Sequence, residues 1–165
     1  MRTALPFCLW LACSGVLFAD PVQEAVEAQI VVLTNRERVK LGLPPLEADG
    51  TLVVVSRGHS QEMARLNYFE HESPTPGLKE PWDRANRAGV DSDEFGENLF
   101  FSEGHSATKL ANMAVSAWMK SPGHRANLLS PNFTRVGIGL ASFKKQIYVT
   151  QMFSATLDPY LPATK

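Results

Sequence analysis

Ser121-Pro122-Gly123-His124-Arg125-Ala126-Asn127-Leu128-Leu129 follows a strongly amphipathic segment and precedes a β-rich C-terminus. Ser121 suits an N-cap, its hydroxyl accepting a backbone N–H of the next turn. Pro122 suits the first helical position, where its missing N–H costs nothing. His124 then falls in the first turn of a short helix. The positive end of the helix dipole favours a neutral imidazole there, fit to accept a hydrogen bond or a metal ion. The rest of the chain is read for groups that could meet His124.

Just upstream, Ala107, Leu110, Ala111, Ala114, Ala117 and Trp118 recur at i, i+3, i+4 spacing. They predict a helix from Ser106, with His105 exposed at its start, whose small residues let it approach a sheet closely. Trp118 lies on that stripe and reads as core, and Ser121 continues the same face. Downstream, 136–140 and 147–153 read as two strands joined by a hairpin at Phe143-Lys144-Lys145-Gln146, with the lysines as its charged turn. Gly96 to Phe101 reads as a further strand.

Toward the N-terminus, Asp20-Pro21 caps a helix with the stripe Val22, Val26, Ile30 and Leu33 and a polar end at Asn35 to Arg38. Gly42 stops it, and Leu43-Pro44-Pro45-Leu46 forms a rigid turn. A second helix runs from about Asp49 to Tyr68 with Leu52, Val55, His59, Met63 and Leu66 on one face. His59 on an apolar stripe reads as a hydrogen-bonded core histidine. From Glu70 to Glu94 the chain reads as a long polar loop, and long loops in compact domains are often functional. Helix, helix, strand, helix, short helix and hairpin imply helices on both faces of a small antiparallel sheet.

The first 19 residues are read apart from the fold. Arg2 gives a positive n-region and Leu5 to Phe18 is almost wholly apolar, so they read as a signal peptide cleaved after Ala19. The stretch is shorter than the roughly 20 apolar residues of a membrane span. Both cysteines, Cys8 and Cys13, fall inside it, which leaves a cysteine-free chain in an oxidising compartment, held by its core alone. The tail from 158 to 165 reads as irregular. The domain itself is placed at 20–157. The formal charge of the whole chain is −1, and loss of Arg2 makes it −2. No basic field or polybasic arm points to nucleic acid.

Three titratable side chains stand beside conformational breaks: His71 after the second helix, Glu97 after Gly96, and His124 after Gly123. Two imidazoles and a carboxylate would make three ligands for a divalent ion with positions left for water or substrate. General acid/base work is the other chemistry open to them. The bland reading makes them surface or capping groups, since no short metal motif is present.

At these residues the chain resembles the CAP superfamily (cysteine-rich secretory proteins, antigen 5 and pathogenesis-related proteins) in its short bacterial, cysteine-free form. The matching pieces are Asn35-x-x-Arg38-x-x-x-Gly42-Leu43-x-Pro45-Leu46, His59-Ser60-x-x-Met63-Ala64, Tyr68-Phe69-x-His71, Asp83-Arg84 with Ala88-Gly89, Gly96-Glu97-Asn98-Leu99, Trp118-Met119-x-Ser121 to Leu129, Phe133-Thr134-x-Val136 to Gly139, and Thr150-Gln151-x-Phe153. Each piece is weak alone; their order and number make the match specific. The resemblance implies an α+β fold, a three-layer α-β-α sandwich with a central antiparallel sheet and a wide cleft. It implies that two histidines and two glutamates line the cleft and bind a divalent ion such as zinc. Three positions carry over as His71, Glu97 and His124. The fourth, a glutamate three residues after the helix tryptophan, falls on Ser121. Arg125 beside His124 is read as a contact for Glu97 or for an anionic ligand. Asn98 and Asn127 read as loop braces with a secondary place in the cleft.

The expected function is a secreted or periplasmic, monomeric, non-enzymatic binding module with a weak divalent-metal site. Its partner is expected to be a lipid, glycan, peptide or protein ligand outside the cell or in the envelope. The mature chain has no cysteine nucleophile and no serine in a nucleophile elbow. The alternative is a metal-dependent or acid/base hydrolase using Glu97 with His71 and His124. A structural envelope protein with an idle cleft is the third reading.

Overall fold

The computed structural model describes residues 20–104 and 107–155. The leader read at 1–19, the start of a helix at Ser106 with His105, and the tail read at 158–165 lie outside the described residues.

Helix α1, Pro21–Lys40, starts on Asp20, whose carboxylate accepts the Val22 N–H at 2.9 Å. Its end is set at Gly42, in the left-handed region at φ 75° that glycine enters without strain. The stripe it buries is Val26, Glu27, Ile30, Thr34 and Arg38, whereas Val22 is exposed. Three polar residues are therefore inside, each with partners far along the chain. Arg38 donates from its guanidinium to the carbonyls of Pro44, Leu128, Ser130 and Phe133. Asn35 clamps Leu46 through both its side-chain oxygen and nitrogen.

The turn after α1 leads into a two-residue strand, β1 (Glu47–Ala48), and then into α2 (Gly50–Leu66), capped by Asp49. Asn67 ends α2 in the left-handed conformation. The segment read as one long loop contains a further helix, α3 (Pro81–Arg87), with proline at its first position and a Glu80–Asp83 capping box. Strand β2 (Phe95–Glu103), helix α4 (Ala107–Lys120), helix α5 (Pro122–Leu128), and strands β3 (Arg135–Phe143) and β4 (Gln146–Ser154) complete the order.

The sheet order is β1-β3-β4-β2. The three long strands are antiparallel as expected, while β1 joins β3 in parallel, so the sheet is mixed. Side chains alternate between faces along each strand. Val136, Ile138, Leu140, Val149 and Phe153 pack with α1, α4 and α5. Met152, Leu99, Ala141 and Tyr148 pack with α2. The result is the three-layer α-β-α sandwich.

The α2 layer lies unusually close to β3. A Cβ at Gly139 would stand 1.9 Å from the Arg57 nitrogen, and one at Gly137 would stand 2.2 Å from the Leu52 carbonyl carbon. This approach lets Ser56 and Ser60 donate to the carbonyls of Gly137 and Gly139 at 3.1 and 2.8 Å. Beyond short β1, the Leu140 N–H donates to buried Glu27, which also pairs with Arg57 at 2.5 Å. A carboxylate of α1 thus ties strand β3 to helix α2.

Candidate functional site

Strand β2 is an edge of the sheet, and its alternation decides what it offers each side. Glu97 points toward the α2–α3 layer, and Asn98 toward α5. The β2 backbone is held on its outer side by side chains: Trp118 Nε1 donates to the Leu99 carbonyl at 2.8 Å and Asn127 Nδ2 to the Glu97 carbonyl at 3.1 Å. Trp118 is buried core, as its stripe implies.

His71, on the loop after α2, places Nδ1 at 2.8 Å from Glu97 Oε1. A carboxylate only accepts, so Nδ1 carries the proton and Nε2 is left as the lone-pair nitrogen of the neutral ring. The Glu97 side chain is 2% exposed and that of His71 is 49% exposed. The hydrogen bond to Glu97 raises the His71 pKa, outweighing partial burial. The second Glu97 oxygen accepts from Arg84 Nη2 at 2.6 Å. Arg84 Nη1 meanwhile reaches the carbonyls of His71, Leu78 and Lys79 at 3.1, 3.2 and 3.0 Å. One buried guanidinium therefore fixes both the backbone of His71 and the carboxylate that orients its ring.

His124 comes from α5, on the other side of β2. Its ring centroid lies 6.4 Å from that of His71. Burial lowers its pKa, and the neighbouring His71 lowers it further. Asn98 Nδ2 donates to the His124 carbonyl at 3.1 Å and to Gln151 Oε1, while Asn127 donates to Asn98 Oδ1. Gln151 in turn donates to Thr34 of α1. This chain of amides sets the position of α5 against the sheet, the bracing role read for Asn98 and Asn127.

His71, Glu97 and His124 are thus brought together around the edge of β2. Ser121 stands at the N-cap of α5, three residues before His124, but its hydroxyl makes no capping bond; its carbonyl accepts from the Arg125 N–H at 2.8 Å instead. The sequence expectation of a side-chain cap is corrected accordingly. Arg125 is exposed and makes no contact with Glu97, whose two oxygens are already engaged by His71 and Arg84. Among the described residues no group of three or more His, Cys, Asp or Glu is placed to hold a metal ion. Arg84 is the site residue the sequence reading missed as such. Its signal was the Asp83-Arg84 piece of the family match, to which the sequence reading gave no role in the site.

His59 lies under the same loop as a buried core histidine, with Nε2 at 3.1 Å from the Glu70 carbonyl. Burial is the main cause lowering its pKa. Its Nδ1 has no hydrogen-bond partner among the described residues.

A model of the cysteine-rich secretory protein family, CAP, matches residues 31–153. The protein YkwD of Bacillus subtilis (strain 168) is 45% identical over 115 residues, covering 70% of this chain and 42% of that protein. An extracellular protein containing an SCP domain from Bacillus anthracis str. Ames has a TM-score of 0.66 at 35% identity, over 81% of this chain and 41% of that one. An outer surface protein from Borrelia burgdorferi has a TM-score of 0.69 at 19% identity, covering 81% of this chain and 94% of that one, which is a likeness of fold. The chain spans less than half the length of the first two. No helix among the described residues is long and apolar enough to cross a membrane.

Proposed function

The chain belongs to the CAP family, and from that premise we propose that it is a secreted or envelope binding module whose cleft presents His71 and His124 to an extracellular ligand. The observation that carries this reading is the engagement of both Glu97 oxygens. A carboxylate so placed orients an imidazole; it is not a free ligand or a free base. The pair of imidazoles, one backed by a carboxylate, is the donor set of a weak divalent-metal site. Carboxylate–histidine pairs of this kind raise ligand basicity and fix the tautomer that faces a metal. His71 and His124 would hold the ion, and Glu97 and Arg84 would support His71. Bound there, a divalent ion would supply a Lewis acid for oxygen groups of the ligand. The missing carboxylate at Ser121 makes such a site weaker than the four-residue set of the family.

The measurement is a zinc titration of the protein, repeated with His71→Ala and His124→Ala. We expect saturable binding that each substitution abolishes. Absence of binding, or binding that survives both changes, would rule the site out.

A second reading rests on the 2.8 Å His71–Glu97 contact, a histidine–carboxylate dyad with its outward nitrogen free for general acid/base work. It makes the protein a hydrolase with His71 as the acid/base group. A peptidase and esterase screen with Glu97→Gln as control tests it: turnover that is unchanged in that variant removes the dyad from the chemistry.

A further inference from the structure

Helix α1 is apolar on two sides. Inward it buries Val26 and Ile30 together with Glu27, Thr34 and Arg38. On the opposite side of the helix, Val22, Ala25, Gln29, Val32, Arg36 and Val39 are all exposed. The three valines among them are 55, 58 and 59% exposed. Single apolar residues on a surface need no explanation. These six, however, recur at intervals of 3, 4, 3, 4 and 3. That is the repeat by which one helix seats against another, sustained for about two and a half heptads.

The order of intervals reads the same in both directions, so the seam is complementary to itself when two copies run antiparallel. Val22 then meets the partner's Val39, Ala25 meets the partner's Arg36, and Gln29 meets the partner's Val32. A parallel pair would instead set Arg36 against Arg36 and Gln29 against Gln29, which brings like charges together in the seam. Charge along the helix favours the same order. Asp20 and Glu24 stand at its N-terminal end, Arg36 and Lys40 toward its C-terminal end. The Glu24 side chain is 60% exposed and only approaches Arg57, at 3.7 Å. Arg36 is exposed and has no ion pair among the described residues, while Glu37 is taken up by Lys40 at 2.6 Å. Antiparallel helices also oppose their dipoles.

We propose that the outer face of α1 docks a second copy of this chain, helix against antiparallel helix, in place of the monomer expected from the sequence. The valines close the two ends and the centre of the seam. Each Arg36 lays its stem over the small Ala25 of the other copy and carries its guanidinium to the neighbouring Glu24. The contact is one helix wide, so the dimer is weak and forms by mass action. It does not depend on the imidazoles of His71 and His124.

The test is analytical ultracentrifugation of the protein from about 5 µM to about 0.5 mM, the affinity range of weak interfaces. A monomer–dimer equilibrium is expected. Val32→Glu puts a carboxylate into both central layers and should weaken association by about tenfold or more. Position 32 is exposed, so the circular dichroism spectrum should stay that of the parent. Arg36→Glu should also weaken association, and adding Glu24→Arg should restore it, a rescue that the antiparallel order requires. His71→Ala should leave association unchanged, which separates this face from the zinc titration. The proposal is overturned if the protein is monomeric throughout, which would leave the face to residues 1–19 or to another protein. It is equally overturned if association survives Val32→Glu, which assigns it to a different surface, or if Glu24→Arg fails to rescue Arg36→Glu.

Discussion

Held between Glu97 and solvent, His71 differs from His59 and His124 in the direction of its pKa shift. The Glu97 hydrogen bond raises it from the ordinary 6.5, while burial lowers His124 and His59. A histidine ring-proton NMR titration should therefore show, among these three, one midpoint above 6.5 and two below it. Glu97→Gln should return the high one toward or below 6.5, and an unchanged order in that variant would mean that another group sets it. Ser121→Glu tests the departure from the family pattern: zinc affinity should rise by about tenfold or more, and no gain would show that position 121 does not address the ion. His71, Glu97 and His124 were legible as candidates because each stands beside a break in conformation. Arg84 was not. Apart from the Asp83-Arg84 piece of the family match, nothing local separates it from Arg87, three residues on, which is exposed. What buries Arg84 is a carboxylate 13 residues away and three loop carbonyls.

At the scale of elements, close packing of α2 on β3 dominates. The atoms that would meet a methyl at Gly139 are backbone atoms of Ser56 and Arg57, which cannot swing aside. Gly139→Ala should cost at least about 3 kcal/mol, the upper part of the usual range for overpacking. Urea denaturation or the yield of soluble protein would read this, and a variant as stable as the parent would mean that α2 shifts at little cost. The long amphipathic elements were readable from their periods. Helix α3 was not, because seven residues hold too few turns to establish a stripe. It is made instead by Pro81 and the Glu80–Asp83 capping box. Strand β1 escaped notice for the same reason, with two residues and a parallel partner 88 positions away. In α1 the expected stripe included Val22 and Leu33, whereas Glu27, Thr34 and Arg38 are buried. Their burial depends on long-range partners that periodicity does not report.

The whole molecule is held without a disulfide among its described residues, since both cysteines precede residue 20. Buried polar ties stand beside the core, with opposite responses to acid. His59 is buried and its folded pKa is depressed. The unfolded chain takes up this proton first, so the His59 contribution is complete above 6.5 and is lost as pH falls through the folded value. His71 has a raised folded pKa, so its contribution is complete below 6.5 and is lost as pH rises through that folded value. Urea midpoints measured across pH 5 to 8 (a range of about 3 units around the ordinary histidine value) should show both slopes in the parent. In His71→Ala the alkaline-side loss should disappear and the acid-side loss remain; a variant with the parent's full profile would reassign the alkaline-side loss to another group. Arg84 has one more consequence, for how this fold can diverge. Its guanidinium pins the chain at His71, Leu78 and Lys79, and Ser73 and Thr75 are tied to Lys79 and Glu62, leaving the tip at 76–77 outside those anchors. Chain length can change within that tip without displacing the imidazole beside it. A protein engineer wishing to graft a recognition loop next to His71 should therefore insert there, where the splice points are already clamped.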